Sequence, residues 1–364
     1  MNTQENKNNN SYVSIAESEY LRLDNRETYE EPEIGKGFLK DIISKQFSWN
    51  EPELFIFGKC KRDGKYKAPE NYAFNVVTKN IRPIPRLPIR YGKNTVLING
   101  RHIFMFNGFY GTKVGNYAVN NVAKDHVSWF DIRHNTWESN IFNAYTKRRL
   151  GSITLKHPGY ETRAVQIGGR DTANNLYGSF ITYDLITLRH YKSGLSPRDR
   201  EYNIENGILQ QNSLYLFLKE PQFKCFNWDP RDSGGFSTVF DSKFEIAKTN
   251  YSLAKKDYYI YIIGGDLYDV GTGGERKTKE VLEFDIRSNN IRPLKNMPHA
   301  KQNPAVCIYE NQLFVFGGGG NNSARDRYLN IYNFENDGWR VDKDVELPQN
   351  IAINCFAFNE NYKI

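Results

Sequence analysis

The chain has 364 residues, of which 14% are aromatic and 25% are charged, and its lysines and arginines outnumber its acidic residues by 49 to 42. The mean hydropathy is −0.67. Because no run of 18 apolar residues occurs, the composition excludes a membrane-spanning helix. The high aromatic content favours packed β-sheets.

Residues 1–50 are predicted to be an extension that precedes the folded domain of residues 51–364. Residues 1–10 are polar and rich in asparagine, which predicts disorder and no secretory signal. In residues 37–49 apolar side chains recur at helical spacing, which predicts one amphipathic helix. The helix either covers the end of the following domain or binds a partner, and the sequence favours the first alternative.

One pattern recurs six times from Leu54 onwards. A short apolar strand, in most cases followed by glycine, precedes an aromatic residue that usually stands next to Asp or Asn, and an apolar or aromatic residue follows seven or eight positions later. Each unit predicts a sheet of four short strands. The pairs are Phe74 and Ile81, Phe130 and Trp137, Tyr183 and His190, Trp228 and Phe236, Phe284 and Ile291, and Tyr332 and Trp339.

A four-stranded unit that repeats about every 50 residues resembles the kelch-repeat family. The best matches to the family pattern run from Phe130 to Trp137 and from Tyr258 to Gly265. The resemblance implies an all-β fold, a six-bladed kelch-type β-propeller, although three blades lack the double glycine. The predicted helix before the propeller resembles the end of the helical domain that precedes the propeller in BTB–kelch proteins. Because 50 residues cannot hold a BTB domain, the resemblance implies a shortened relative. The residues given structural roles are Gly168, Gly169, Gly264, Gly265, Gly317, Gly318, Trp137 and Trp339.

The C-terminal residues predict how such a propeller closes. Ala357 to Tyr362 aligns with Cys307 to Gln312, and both segments are centred on Glu-Asn. The chain therefore ends just after a first strand, whereas Leu54 to Phe57 matches a second strand. We expect the C-terminal strand to complete blade one, because an open ring would leave two sheet edges unpaired. A partial seventh blade is the alternative.

No motif in the sequence identifies a catalytic, metal or cofactor site. The six histidines lie in different blades or on separate loops, and the Gly271–Lys277 loop lacks the Gly-Lys-Ser/Thr ending of a phosphate-binding loop. The four cysteines form no Cys-x-x-Cys pair, so we expect buried thiols in a reducing compartment. The sequence therefore predicts no cofactor and a cytoplasmic protein.

The charge distribution favours binding to a partner protein. Residues 51–364 carry 43 basic and 33 acidic residues, a net charge of +10, and most basic runs precede a new blade. We expect a basic face that binds an acidic protein, with the propeller itself a monomer. Solvated loops are the plain alternative, and nucleic-acid binding is disfavoured. The predicted contact residues are Arg82, Arg86, Arg90, Lys147, Arg148, Arg149, Arg198 and Arg200.

The predicted function is a non-catalytic interaction module, either an adaptor or the substrate receptor of a ubiquitin ligase. Proline at positions 83, 85 and 88 stiffens the segment that contains Arg82, Arg86 and Arg90, so this segment is the first choice for a partner contact. The alternative is a sugar-acting enzyme of the kelch mutarotase kind, with its site in the central channel.

Overall fold

A computed structural model describes residues 52–58, 71–86, 95–106, 113–114, 117–118, 126–141, 152–169, 179–187, 189–195, 204–218, 223–231, 236–241, 246–269, 274–318, 327–347 and 353–360. The chain divides into two units, residues 1–48 and 49–364, and every described residue belongs to the second. The helix expected in residues 37–49 and Cys60 lie outside the described residues. Among the described residues, no helix is long and apolar enough to cross a membrane.

Six four-stranded antiparallel sheets make up most of the described chain. From the first strand to the fourth, blade one contains β29 (Ile353–Asn359), β1 (Glu53–Gly58), β2 (Asn71–Asn75) and β3 (Ile81–Ile84). Blade two contains β4 (Thr95–Asn99), β5 (His102–Phe106), β8 (His126–Asp131) and β9 (Thr136–Ile141). Blade three contains β10 (Ile153–Lys156), β11 (Arg163–Ile167), β12 (Ser179–Asp184) and β13 (His190–Leu195).

The second half of the chain repeats this order. Blade four contains β14 (Ile204–Gln210), β15 (Ser213–Leu218), β16 (Lys224–Trp228) and β17 (Ser237–Asp241). Blade five contains β19 (Ser252–Lys256), β20 (Tyr259–Ile263), β23 (Val281–Asp285) and β24 (Asn290–Pro293), and blade six contains β25 (Ala305–Tyr309), β26 (Gln312–Phe316), β27 (Tyr328–Asn333) and β28 (Gly338–Glu346). The all-β prediction is confirmed.

Two smaller sheets extend the loops between second and third strands. In blade two, β6 (Lys113–Val114) pairs with β7 (Tyr117–Ala118). In blade five, β21 (Asp266–Asp269) and β22 (Glu275–Lys277) form a hairpin that pairs with β18 (Ile246–Thr249). Glu275–Lys277, the end of the Gly271–Lys277 sequence, is therefore a strand of a hairpin between two propeller strands. Residues 271–273 lie outside the described residues.

The first strands of neighbouring blades contact one another in the order β29, β4, β10, β14, β19 and β25, and β25 also contacts β29. Strand β29 pairs with β1, with Ala357 opposite Phe55 and Asn359 opposite Glu53. The apolar core lies between the sheets, because each apolar cluster combines residues of two adjacent blades. Burial of these sheet faces is the main favourable term in such a fold.

In five of the six blades the recurrent aromatic and apolar residues are direct neighbours across the third and fourth strands. In blade four Phe236 precedes β17, and its ring lies 5.5 Å from that of Trp228. Phe130 lies opposite Trp137, and Tyr332 lies opposite Trp339, with ring centroids 5.2 and 5.1 Å apart. Spacing of seven positions places the two residues opposite each other around a short turn. Cross-strand aromatic pairs of this kind stabilise a sheet, which explains why the pattern repeats.

The Asp or Asn after each aromatic residue caps the turn that follows. In all six blades its side-chain oxygen accepts a hydrogen bond from the backbone N–H two positions later, at 2.8–3.0 Å. This is the Asx turn, in which a short polar side chain replaces a backbone acceptor. The residues are Asn75, Asp131, Asp184, Asp229, Asp285 and Asn333.

These turns define one face of the molecule. The turns between first and second strands and between third and fourth strands form what we call the turn face. We call loop face the residues in the loops between second and third strands and in the segments that lead from a fourth strand to the next blade. Antiparallel pairing puts the two sets at opposite ends of each sheet.

Candidate functional site

Arg82 lies within β3 and binds a carboxylate of its own blade. Its Nε and Nη2 atoms donate to the two carboxylate oxygens of Glu53 at 3.0 and 2.7 Å. This is the bidentate geometry that arginine favours with carboxylates. The guanidinium that the sequence assigned to a partner contact thus forms an ion pair inside blade one.

Arg86 is exposed, and the backbone beside it is held from two sides. The carbonyl of Pro85 accepts hydrogen bonds from Nε1 of Trp137 at 2.8 Å and from Nδ2 of Asn71 at 3.1 Å. One donor belongs to blade two and the other to blade one. Together with the fixed φ angles of Pro83 and Pro85, these bonds hold the segment in one conformation.

The other basic residues of the predicted contact surface lie outside the described residues. They are Arg90, Lys147, Arg148, Arg149, Arg198 and Arg200. Their placement at one rim therefore stays a prediction. Of the eight predicted contact residues, Arg82 and Arg86 have a described position, and they differ in exposure and in surroundings.

The six glycines singled out in the sequence all have positive φ angles, between 58° and 97°. Gly265 has the least space, because a Cβ atom there would overlap the carbonyl oxygen of Thr249 and lie 2.9 Å from Cβ of Tyr251. At Gly318 it would lie 2.7 Å from the carbonyl oxygen of Gln302. These glycines follow the second strand of a blade. They lie against the segment that leads into a first strand.

Trp137 and Trp339 each connect two blades. The Trp339 indole donates from Nε1 to the carbonyl of Lys295 at 2.7 Å, as Trp137 does to Pro85. Both acceptors follow the fourth strand of the preceding blade. A half-buried aromatic ring with one polar atom suits this position, since the ring packs while its N–H finds an acceptor.

An ion pair between a buried lysine and a glutamate that is 35% exposed lies on the loop face of blade five. Nζ of Lys248 lies 2.6 Å from Oε2 of Glu280, and the lysine side chain is 3% exposed. Burial lowers the pKa of the Lys248 ammonium, and Glu280 opposes that effect. Neither residue was singled out in the sequence, because β18 and the segment before β23 are brought together only by the three-stranded sheet.

Polar side chains continue this cluster across the joints with blades four and six. Oδ2 of buried Asp266 accepts hydrogen bonds from the amides of Asn250, at 2.8 Å, and Gln302. Glu205 of blade four accepts from the backbone N–H of Asn250 at 2.7 Å. Such bonds order the loop face around blade five, because they give the buried carboxylate of Asp266 its hydrogen-bond partners.

Burial limits the reactivity of the described cysteines. Cys225, Cys307 and Cys355 are buried thiols, and burial raises the pKa of each. Thiols of this kind are poor nucleophiles. In the part of the chain that the structure describes, no group of three or more His, Cys, Asp or Glu side chains could hold a metal ion.

Four large apolar side chains are exposed among the described residues, and all four lie on the turn face. Val77 and Ile186 belong to turns between third and fourth strands, whereas Tyr160 and Tyr258 belong to turns between first and second strands. The sequence pattern did not distinguish them. Single exposed apolar residues are common on soluble proteins, so their shared face is the informative feature.

Comparison with known proteins agrees with this architecture. No family model matches the chain. An F-box/kelch-repeat protein of Arabidopsis thaliana is 26% identical over 99 residues, which is 27% of this chain and 22% of the length of that protein. The structure of YjhT, a kelch propeller, superposes with a TM-score of 0.57 and 10% identity, covering 75% of this chain and 91% of YjhT.

The resemblance to kelch-repeat proteins is therefore confirmed, and the chain has the fold of a kelch-type propeller. At 10% identity the likeness to YjhT shows the fold alone. The chain spans about a fifth of the length of the curated relative that it matches. What the chain binds is a separate question, because one fold can serve many functions.

Proposed function

We propose that this chain is a protein-interaction module, in which six blades form one ring that β29 closes and the loop face binds a partner protein. The partner is acidic, and the module serves as an adaptor or as the substrate receptor of a ubiquitin ligase. The observation that carries the proposal is the pre-ordered segment at Arg86, an exposed arginine beside a carbonyl held by two blades.

Pre-ordering favours binding because a fixed segment loses little conformational entropy when a partner docks. Arginine adds bidentate contacts to carboxylates, and the net charge of +10 on residues 51–364 attracts an acidic surface over a longer range. The hydrogen-bonded cluster around Asp266 supports the same proposal, since it keeps the loop face of blade five rigid. The F-box/kelch-repeat name of the Arabidopsis relative is consistent with a module of this kind.

The test is affinity capture with the full chain and two charge-reversal variants. Arg86→Glu changes the proposed contact, whereas Arg133→Glu makes the same change at an exposed arginine of the turn face. We expect quantitative mass spectrometry to identify partners that both the unchanged chain and Arg133→Glu retain, and that Arg86→Glu loses. Equal melting temperatures of the three proteins verify that the fold is intact.

Two outcomes would overturn this assignment. If Arg86→Glu retains every partner, the ordered segment is only a link between blades. If Ile186→Asp releases the partners while Arg86→Glu does not, the binding surface is the turn face with its four exposed apolar residues. Arg82 is left unchanged in these experiments, because Arg82→Glu would place two carboxylates in contact at Glu53.

A further inference from the structure

The segment that contains Arg86 has a counterpart in blade five. The run Ile-Arg-Pro begins at Ile81 and again at Ile291, and it occurs twice in the sequence. Both runs lie in the fourth strand of a blade, β3 and β24, and both begin opposite the recurrent aromatic residue of the third strand. The residues that follow therefore correspond in pairs: Pro85 to Lys295, and Arg86 to Asn296.

The two segments make the same kinds of contact within their blades. Arg82 and Arg292 each form an ion pair with a glutamate of their own blade, at 2.7 and 2.6 Å. Ile84 packs in the apolar cluster between blades one and two, and Leu294 packs against the cluster between blades five and six. The similarity in sequence thus extends to the surroundings of both segments.

An indole of the following blade binds each segment. Nε1 of Trp339 donates to the carbonyl of Lys295 at 2.7 Å, and Nε1 of Trp137 donates to the corresponding carbonyl of Pro85 at 2.8 Å. Tryptophan occupies this position of the repeat in blades two and six, whereas the other four blades have isoleucine, histidine or phenylalanine. The sequence therefore supplies this bond at two of the six joints between blades.

Blade five also fixes the backbone around Lys295. The N–H of Leu294 donates to the carbonyl of Val281, and the N–H of Met297 donates to the carbonyl of Lys279, both at 2.8 Å. Met297 is buried, whereas Lys295 is exposed. Three backbone hydrogen bonds and one buried side chain thus order the segment from which an exposed ammonium group extends, as two hydrogen bonds do beside Arg86.

We propose that Lys295 is a second contact of the partner surface on the loop face, and that the partner carries two separate acidic groups, one for Arg86 and one for Lys295. This inference rests on the proposed function, because it requires a partner on the loop face. Blades six and one lie between the two contacts, since β25 contacts β29. Both backbones are ordered before binding, so little conformational entropy is lost at either contact.

Two contacts with one partner reinforce each other, because the second forms within the complex that the first has made. The probe that tests this property is polyglutamate, used as a long chain and as a peptide of four residues. The long chain can reach both contacts, whereas the short peptide occupies one at a time. Binding of each labelled probe to the full chain is measured by fluorescence anisotropy at constant, low ionic strength.

We expect Arg86→Glu and Lys295→Glu each to weaken binding of the long probe roughly tenfold, the effect of one charge-assisted hydrogen bond. The double variant should bind the long probe more weakly than either single variant. The control is Arg133→Glu, which makes the same change of charge on the turn face. For this control we expect a loss of roughly twofold at most, because salt screens distant charges.

Two changes test the register and the order of the segment. Asn296→Arg gives blade five the arginine that blade one has at Arg86, so we expect tighter binding of the long probe, and Asn296→Gln is its neutral control. Trp339→Phe keeps an aromatic ring and removes the N–H that donates to Lys295. We expect this variant to bind the long probe more weakly while its circular dichroism spectrum stays unchanged.

The outcomes separate this inference from the proposed function. If Lys295→Glu and Asn296→Arg bind the long probe as the unchanged chain does, while Arg86→Glu weakens binding, Lys295 is not a contact and the proposed function stands. If the unchanged chain does not bind the long probe, or Arg86→Glu has no effect, both fail. An equal loss in Arg133→Glu and Lys295→Glu would also overturn the inference, since net charge alone would explain it. Should Lys295→Glu fail to fold, Lys295→Gln replaces it.

Discussion

Gly265 is the position at which the backbone leaves least room for a side chain. Its φ angle is +97°, and a Cβ atom would overlap the carbonyl of Thr249. We predict that Gly265→Val lowers the free energy of unfolding by about 3–5 kcal/mol, because strain and overpacking add together. The measurement is a chemical denaturation curve.

Gly100→Ala is the matched control for this prediction. Gly100 also has a positive φ angle, +55°, but a Cβ atom there has nothing within 4 Å. Gly100→Ala should therefore lower the free energy of unfolding by roughly 1–2 kcal/mol, the cost of the left-handed conformation alone. If the two variants lose equal stability, space around Gly265 is not the limiting factor.

Burial also determines how much stability the protein loses when the ion pair of Lys248 and Glu280 is broken. We predict that Glu280→Gln destabilises the protein by about 1–3 kcal/mol, because a lysine side chain that is 3% exposed loses its carboxylate. The control is Glu346→Gln, whose partner Arg327 is 28% exposed. For this variant we expect a loss of stability of about 0–1 kcal/mol, as for a solvated ion pair.

The lowered pKa of Lys248 also predicts how the stability of Glu280→Gln depends on pH. Since the folded state binds the proton less tightly than the unfolded state, stability rises with pH between the folded pKa and the unfolded value near 10.4. Loss of Glu280 removes the effect that opposed the shift. The rise should therefore be larger in Glu280→Gln than in the unchanged chain, and an identical pH profile would contradict this account.

At the scale of elements, the Asx turn explains both the repeat and one exception to it. In five blades the residue after the Asp or Asn donates its backbone N–H to the carbonyl before the second strand, at 2.8–3.1 Å. Blade four has Pro230 at this position, which has no N–H. There Nη2 of Arg231 donates to the carbonyl of Asn212 instead, at 3.3 Å.

The Asx turns also predict the acid stability of the molecule. Arg231 and Arg287 lower the pKa values of Asp229 and Asp285, the latter to about 2. Partial burial opposes the shift at Asp131 and Asp184, yet hydrogen bonds from their turns still lower the pKa of each. Each carboxylate therefore contributes stability above its unfolded pKa of about 3.9, and this stability is lost as the pH falls through the folded value.

Two blades already use asparagine at this position, so changing all four aspartates to asparagine keeps the acceptor oxygen and removes the titration. We predict that this variant has a flatter profile of stability against pH between about 5 and 2. The control changes four exposed acidic residues outside the Asx positions to their amides: Glu161, Asp257, Glu310 and Asp344. If the control flattens the profile equally, net charge is responsible.

At the scale of the whole molecule, β29 joins the last described residues of the chain to the first. Deletion of residues 351–364 removes the first strand of blade one and exposes the edge of β1. We predict a lower melting temperature and aggregation, because an unpaired edge pairs with other chains. Deletion of residues 361–364 alone is the control. A deletion of the whole strand with an unchanged melting temperature and no aggregation would show that β29 does not stabilise the domain.

The repeat, the strand pairs and the turn residues could be predicted from the sequence. Strand alternation, the spacing from Phe130 to Trp137 and the polar residue that caps each turn act within a single unit of about 50 residues. The glycines at 264–265 and 317–318 were recognisable for the same reason. The alignment of the C-terminal segment with a first strand also preceded the observed pairing of β29 with β1.

The candidate sites depended on contacts that no local pattern contains. Arg82 and Arg86 look equivalent in the sequence, but Glu53 lies across the sheet from one of them and not the other. Lys248 meets Glu280 only because the small sheet of β18, β21 and β22 brings their segments together. Local chemistry determined the blades of this protein, whereas the partners of its charges were decided by the tertiary structure, because electrostatic interactions depend on distance in space and not on separation along the chain.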